Sequence, residues 1–298
     1  MHVLRTFALA VSLLGAAAQA APAPDSAAAG VAVGPQYDST HVYVPPDQVD
    51  RFVASILATF GGHASQPMTV TVTPTPSSAI SQIVFTPVGF FSVFGFRTPI
   101  PYPFGEERTG YLVTDIDAAV AAARQASAEL VVSPFPDAIG RDAVIRWPGG
   151  VNMQLYWHKT APSYASLATV PENRVYLPGD RADEFVRDFN QFSGGRVVAD
   201  DPAAPGLEIG RPGVFYRRIR LESAFGKVTV LVTDGHLPWP YGRELTGYEV
   251  TDLAQTLDKA KAAGAALLAG PTSADGRDAA MVQFPGGYIA EIHARRLP

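Results

Sequence analysis

The chain of 298 residues contains no cysteine. That absence excludes disulfides, thiolate metal sites and a lipid anchor on a thiol, so the fold is held by burial alone. Charge of one sign is nowhere concentrated. No basic run occurs and the formal net charge is −5, which argues against nucleic acid as a partner. Beyond the first turns of the chain no stretch approaches the roughly 20 apolar residues of a membrane helix, so no membrane span is expected. Catalytic signatures are missing as well. There is no G-x-S-x-G elbow, and the histidines (His2, His41, His63, His158, His236 and His293) show no H-E-x-x-H spacing. Gly149-Gly150 and Gly286-Gly287 precede strand-like runs rather than a helix, so they read as hairpin glycines and not as a phosphate loop.

What the sequence does have begins with Arg5, the apolar run FALAVSLLGAAA and the small-residue site Ala18-Gln19-Ala20. That order is the pattern of a secretory signal over residues 1–20. It predicts cleavage near Ala20 and a periplasmic or secreted protein. Loss of Arg5 would move the net charge from −5 to −6. Residues 21–39, rich in Ala, Pro and Gly without an apolar period, read as a flexible leader.

The dominant feature is an internal repeat. Residues 101–116, PYPFGEERTGYLVTDI, recur as PWPYGRELTGYEVTDL at 238–253, with ten of sixteen positions identical at an offset of 137. The match extends downstream through GRDAVIRWPGGVNMQLYWH and GRDAAMVQFPGGYIAEIHA. Upstream, HVYVPPDQVDRFV lies over RVYLPGDRADEFV. Two copies of one domain are expected, over 40–158 and 173–298, joined by a polar linker at 159–172. With 47% hydrophobic residues, each half has enough apolar mass for a core of its own.

Within each half the pattern reads twice as strand, helix, then three strands. After HVYVP, Asp47 stands as an N-cap and Val49, Phe52, Val53, Ile56 and Phe60 follow at helical spacing, until Gly61-Gly62 ends the run. Thr114 or Asp115 caps a second, alanine-rich helix. The intervening runs alternate or are bounded by Pro and Gly, as strands are. Four βαβββ units in two pairs follow, an α+β fold.

Paired βαβββ units resemble the vicinal oxygen chelate superfamily, which includes glyoxalase I, bleomycin-resistance proteins and extradiol dioxygenases. The resemblance is carried by GYLVTDIDAAVAAARQASAELVVSP with WPGGVNMQLYW, and by their second copies. It implies two tandem glyoxalase-like domains, each forming a curved mixed sheet around a cleft that binds a small molecule. It also implies metal-ligand positions, which fall on His41, Arg108 and Gln154 in the first half and on Arg174, Leu245 and Glu291 in the second. Arginine cannot coordinate a metal. Arg108 would repel a divalent ion and favour an anionic ligand instead, unless it pairs with Glu106 or Glu107. The second half, with Glu291 and His293, is then the better place for a divalent metal.

Strand alternation adds neighbours on the same faces. The first cleft would present His41, Tyr43, Arg108, Gln154, Tyr156 and His158. The second would present Arg174, Tyr176, Glu249, Glu291 and His293, a set suited to acid–base work. Arg141-Asp142 and Arg277-Asp278 recur within GRDA and read as structural pairs. The aromatics of PYPFG and PWPYG read as packing groups between units. Three functions stay open: a small-molecule binder of the bleomycin-resistance kind taking an anionic or aromatic ligand, a metal-dependent lyase or dioxygenase, and a noncatalytic interaction module. None needs an oligomer to complete its cleft.

Overall fold

The computed structural model describes residues 30–296; the expected signal sequence and residues 21–29 lie outside them. The first half runs β1 (Ser39–Tyr43), α1 (Val49–Phe60), β2 (His63–Ala64), β3 (Met68–Val70), β4 (Ala79–Thr86) and β5 (Gly89–Phe96). It continues with β6 (Thr109–Leu112), α2 (Ile116–Gln125), β7 (Glu129–Pro136), β8 (Gly140–Trp147) and β9 (Val151–His158). The second half runs β10 (Glu172–Leu177), α3 (Gly179–Ser193), β11 (Arg196–Pro205), β12 (Phe215–Ser223) and β13 (Gly226–Val232). Then come β14 (Leu245–Glu249), α4 (Leu253–Ala262), β15 (Ala266–Ala274), β16 (Arg277–Gln283) and β17 (Ile289–Arg295).

Each half forms one curled mixed sheet. The strand orders are β2-β4-β5-β1-β6-β9-β8-β7, with β3 beside β4, and β11-β12-β13-β10-β14-β17-β16-β15. The opening strands of the two units stand side by side and antiparallel at the centre, β1 with β6 and β10 with β14. Each is parallel to the closing strand of its own unit. Residues of the opening and closing strands therefore meet at the floor of each cleft.

Helix starts follow local chemistry. Asp115 accepts from the Ala118 N–H at the start of α2, and Asp252 accepts from the Gln255 N–H at the start of α4, both at 2.9 Å. Asp47 does not cap α1; it lies inside a short 3-10 turn, Pro46–Gln48, that leads into the helix. A proline at the first turn position favours that tight entry over a side-chain cap.

The apolar cores are not one per half. α2 and the outer face of β8 and β9 pack on Phe185, Phe189 and Phe192 of α3, around the fully buried Trp147. α1 packs in the same way on α4, β16 and β17, with Phe52 against Phe284 at 6.3 Å between ring centres. Each core thus joins one unit of each half. The reason is geometric: the inner face of each sheet curls around its own interior, so its helix-bearing face buries apolar surface against the other half.

Two stretches expected to be loose are packed. Val31 is 5% exposed within the α2–α3 core, and the Val33 N–H donates to Leu112 O at 3.2 Å. The leader is therefore anchored from residue 30 onward. In the connection between the halves, Tyr164 packs on Phe85 and Phe90, while the Thr169 hydroxyl donates to Glu249 O at 2.7 Å.

Candidate ligand cleft in the first half

The inner face of the first sheet encloses about 170 Å³ of free space. Its floor is β1, where alternation sends Val42 into the α1–α4 core and Ser39, His41 and Tyr43 into the cleft. Gln154, Tyr156 and His158 of β9 share the lining, with Phe90, Phe94 and Phe104 as apolar walls and Tyr164 of the interdomain connection at the rim. Of the residues expected here, Arg108 is absent from the lining.

Its place is taken by Glu107, which is 0% exposed. The Tyr43 hydroxyl donates to Glu107 Oε1, and His41 Nδ1 lies 3.4 Å from the same atom. Burial and the adjacent Glu107 push the Tyr43 hydroxyl well above its ordinary pKa, so it stays a donor. With Nδ1 turned to Glu107, His41 directs Nε2 towards Gly110: a Cβ built at Gly110 would lie 2.5 Å from Nε2 and 2.7 Å from Ser39 Oγ. Only glycine leaves room there. Asp142 of the first GRDA motif, expected to form a structural pair with Arg141, lines the cleft. Burial, reinforced by Asp137, raises its pKa well above the ordinary range, which favours its neutral form. Burial lowers the pKa of His158, likewise favouring the neutral ring.

Asp142 lines the cleft although the sequence pattern read it as structural, and Glu107, named there only as a partner for Arg108, holds the lining residues Tyr43 and His41 from behind. Glu107 had a signal: it is one of the ten identities in the repeat. Asp142 was masked by that same recurrence, which read as structural.

The corresponding space in the second half is closed. Arg174 of β10, 2% exposed, reaches Glu172 at 2.8 Å, Glu208 at 3.0 Å and Glu291 at 3.6 Å. Arg277 of the second GRDA motif reaches Glu172 at 3.3 Å and also contacts Glu208. Arg218 joins Glu208 from β12. About 20 Å³ remains beside this network. Glu291 and His293 do come together, at 2.7 Å. Burial would raise Glu291, but His293 and Arg174 outweigh it and hold its pKa below the ordinary value. Tyr176 packs on Ala204, Ile209, Tyr216 and Leu231 instead of facing a ligand, and burial lifts it to about 12. Glu249 sits outside the network, paired with Arg295 at 2.8 Å and Lys227 at 3.8 Å.

In the PYPFG and PWPYG loops, the second aromatic packs inside: Phe104 against Phe135, and Tyr241 against Leu245 and Met281. The first, Tyr102 or Trp239, is 67% or 60% exposed.

Known structures share this architecture. A mutant form of 4-hydroxymandelate synthase from Streptomyces coelicolor matches with a TM-score of 0.58 and 13% identity, over 91% of this chain and 93% of that one. A mutant of homoprotocatechuate 2,3-dioxygenase from Brevibacterium fuscum matches with a TM-score of 0.54 and 12% identity, over 92% and 74%. The 2,3-dioxygenase LapB from Pseudomonas sp. KL28 matches with a TM-score of 0.52 and 13% identity, over 90% and 92%. This chain has the vicinal oxygen chelate fold. No family model and no curated protein matches it, and at these identities the likeness is one of fold.

A metal does not fit the vicinal oxygen chelate frame as this chain fills it. Among the described residues, no three His, Cys, Asp or Glu side chains gather in a way that could hold a metal ion. In the second half the glutamates are engaged by arginines, and a divalent ion at Glu291 and His293 would face the fixed charges of Arg174 and Arg277. In the first half Arg108 does not line the cleft, although its charge still reaches Tyr43 on the cleft floor. At the frame's ligand positions there stand His41 and the neutral Gln154 amide, with Glu107 beside them; its Oε1 accepts from Tyr43 and its Oε2 is buried without a partner among the described residues.

Proposed function

We propose that the chain binds a small uncharged aromatic molecule in the first-half cleft, and that the second half serves as its structural counterpart. One observation carries this reading: at equivalent places in a repeated frame, one interior is left open and walled by aromatic rings, while the other is filled by its own ions. Concave, mostly apolar spaces with a few placed polar groups are the usual form of a small-molecule site. The lining includes Asp137 and Asp142 but no lysine or arginine, so the choice between an anionic and an aromatic ligand falls on the neutral aromatic one.

Titration of the protein with 2-naphthol and with 2-naphthoate, followed by calorimetry, tests this. Saturable binding of the naphthol, weaker binding of the naphthoate, and loss of both on Ser92→Trp are expected. Equal affinity for the carboxylate, or unchanged binding by the Ser92→Trp protein, would sink the proposal. Export remains part of the same proposal on the strength of residues 1–20. It predicts that periplasmic protein begins near Ala21 on N-terminal sequencing, and material still beginning at Met1 would refute it.

A catalytic use of the same cleft is favoured by the His41–Glu107 pair. A buried imidazole that lines an open cleft and is held through one nitrogen by a carboxylate is equipped to move a proton. Accelerated hydrogen–deuterium exchange of a bound aryl ketone, abolished by His41→Asn, would establish that use. Binding without exchange would leave the protein a binder.

A further inference from the structure

Between the halves lies a second cavity, of about 80 Å³. Thr40 and Tyr43 of β1 line it, as do Thr246 of β14 and Tyr288; Arg108, Arg243 and Glu244 are its charged members. Tyr43 is the one residue common to this lining and that of the ligand cleft. The walls are tied together across the junction. The Tyr248 hydroxyl donates to Thr40 Oγ1 at 3.1 Å, and Thr40 Oγ1 lies 3.3 Å from Thr246 Oγ1.

The charges around this cavity are not matched as they are in the second-half network. Neither Arg108 nor Arg243 has a carboxylate of any described residue within the 4.0 Å of an ion pair. Glu244 occupies the repeat position of Glu107, yet its Oε1 is shut off from solvent without any hydrogen-bond donor among the described residues. An unmet buried polar atom of this kind costs on the order of 1–3 kcal/mol. Burial raises the Glu244 pKa to about 8 against the pull of Arg108, with Glu107 adding to the rise. Of the two arginines in the lining, Arg108 is half-buried and Arg243 exposed, and a neutral Glu244 would offer neither of them a counter-charge. Guanidinium groups hold carboxylates and phosphates by paired, charge-assisted hydrogen bonds. One water needs about 10–15 Å³ of such space, so the cavity has room for several waters or for a group the size of acetate or phosphate.

We propose that this junction cavity is an oxyanion site, in which Arg108 of the first half and Arg243 of the second grip one small carboxylate or phosphate. The site is independent of the aromatic ligand proposed above. Because each half contributes one arginine, a bound anion also fastens the halves together, and saturation raises the melting temperature by mass action.

Calorimetric titration of the protein with sodium acetate and with sodium phosphate, at ionic strength matched with chloride, tests the site. One saturable anion per chain is expected, and which salt binds distinguishes carboxylate from phosphate. Arg108→Gln and Arg243→Gln should each weaken binding tenfold or more, and Arg124→Gln, far from the cavity, should leave it unchanged. The bound anion should raise the melting temperature of the parent protein and not of the Arg108→Gln protein. The proposal is overturned if neither salt binds saturably, or if Arg108→Gln binds as the parent does. It stands or falls without reference to 2-naphthol, whose binding Arg108→Gln should leave intact.

Discussion

At equivalent places in the two sheets, β1 presents His41 to about 170 Å³ of space, and β10 presents Arg174 to three glutamates with about 20 Å³ left over. Both floors keep a glycine close to that residue, opposite Ser39 in one sheet and Glu172 in the other. A Cβ at Gly110 would meet His41 Nε2 at 2.5 Å, and one at Gly247 would meet Glu291 Oε2 at 2.6 Å. The frame therefore supplies the same close approach twice, and side-chain chemistry alone decides whether the approach serves a cleft or a packed ionic core. Duplication of a fold does not duplicate a site.

The largest effect should come from breaking the filled side. Arg174→Ala leaves Glu172, Glu208 and Glu291 buried with one cation fewer, and removal of one partner from a buried ionic cluster typically costs about 3–5 kcal/mol. Chemical denaturation should show a loss of that order, and a loss under about 1 kcal/mol would mean the network is incidental. The parent protein should also show the sign of the linkage. Burial raises Glu172, but Arg277 and Arg174 outweigh it and hold its pKa at about 2, against an ordinary 4.5. A depressed carboxylate contributes stability in full above its unfolded value and loses it as pH falls through the folded one. Stability should therefore decline as the pH drops from about 4.5 towards 2, and Arg174→Ala should flatten that decline.

A matched pair of glycine substitutions sharpens the contrast. Gly247→Ala places a methyl group against Glu291 and Arg174, and overpacking of this kind costs about 1–3 kcal/mol. Its binding of 2-naphthol should be unchanged. Gly110→Ala places the same methyl against His41, which borders free space. The ring can turn into the cleft, so naphthol binding should fall tenfold or more with a smaller change in stability. Denaturation and calorimetry on both proteins check this, and a reversed pattern would mean the halves have been assigned the wrong roles.

The fold was legible because it rests on local signals: a repeat with ten identities in sixteen, strand alternation, and Asp115 ahead of an apolar period. Alternation also placed His41, Tyr43, Gln154, Tyr156 and His158 on one face, where they line one cleft. It failed at Arg108 for a physical reason. β6 begins at Thr109, so residues 107 and 108 precede the strand, and counting by twos from Gly110 does not hold there. Glu107 turns inward to Tyr43 and Arg108 turns to the junction. The ionic core was legible only where the sequence put Arg174, Glu291 and His293 on one face. Arg218 and Glu208 come from a different unit than Arg277 and Glu291, and nothing local in either stretch signals the meeting. Nor could sequence show that each helix packs across the halves, since its apolar stripe fits either partner equally.

The smallest expected effect is the most discriminating about the repeat itself. Arg141 and Arg277 hold the same place in GRDA, and recurrence alone suggested the same structural pairing for both. Arg141 instead meets Asp117 at 2.6 Å on the surface, where Asp117 is largely open to water and Arg141 partly so. Exposed pairs of this kind gain little, because water screens the attraction and two long side chains lose freedom to form it. Arg277 is buried between Glu172 and Glu208, where no water screens it and its loss strands two carboxylates. Arg141→Ala should therefore leave the melting curve within experimental error, and raising the salt concentration should not separate it from the parent. Arg277→Ala should lower the melting temperature sharply under the same conditions. If the two substitutions proved equally mild, the second interior would have to be hydrated and open after all, and the contrast between the halves would fail at its base.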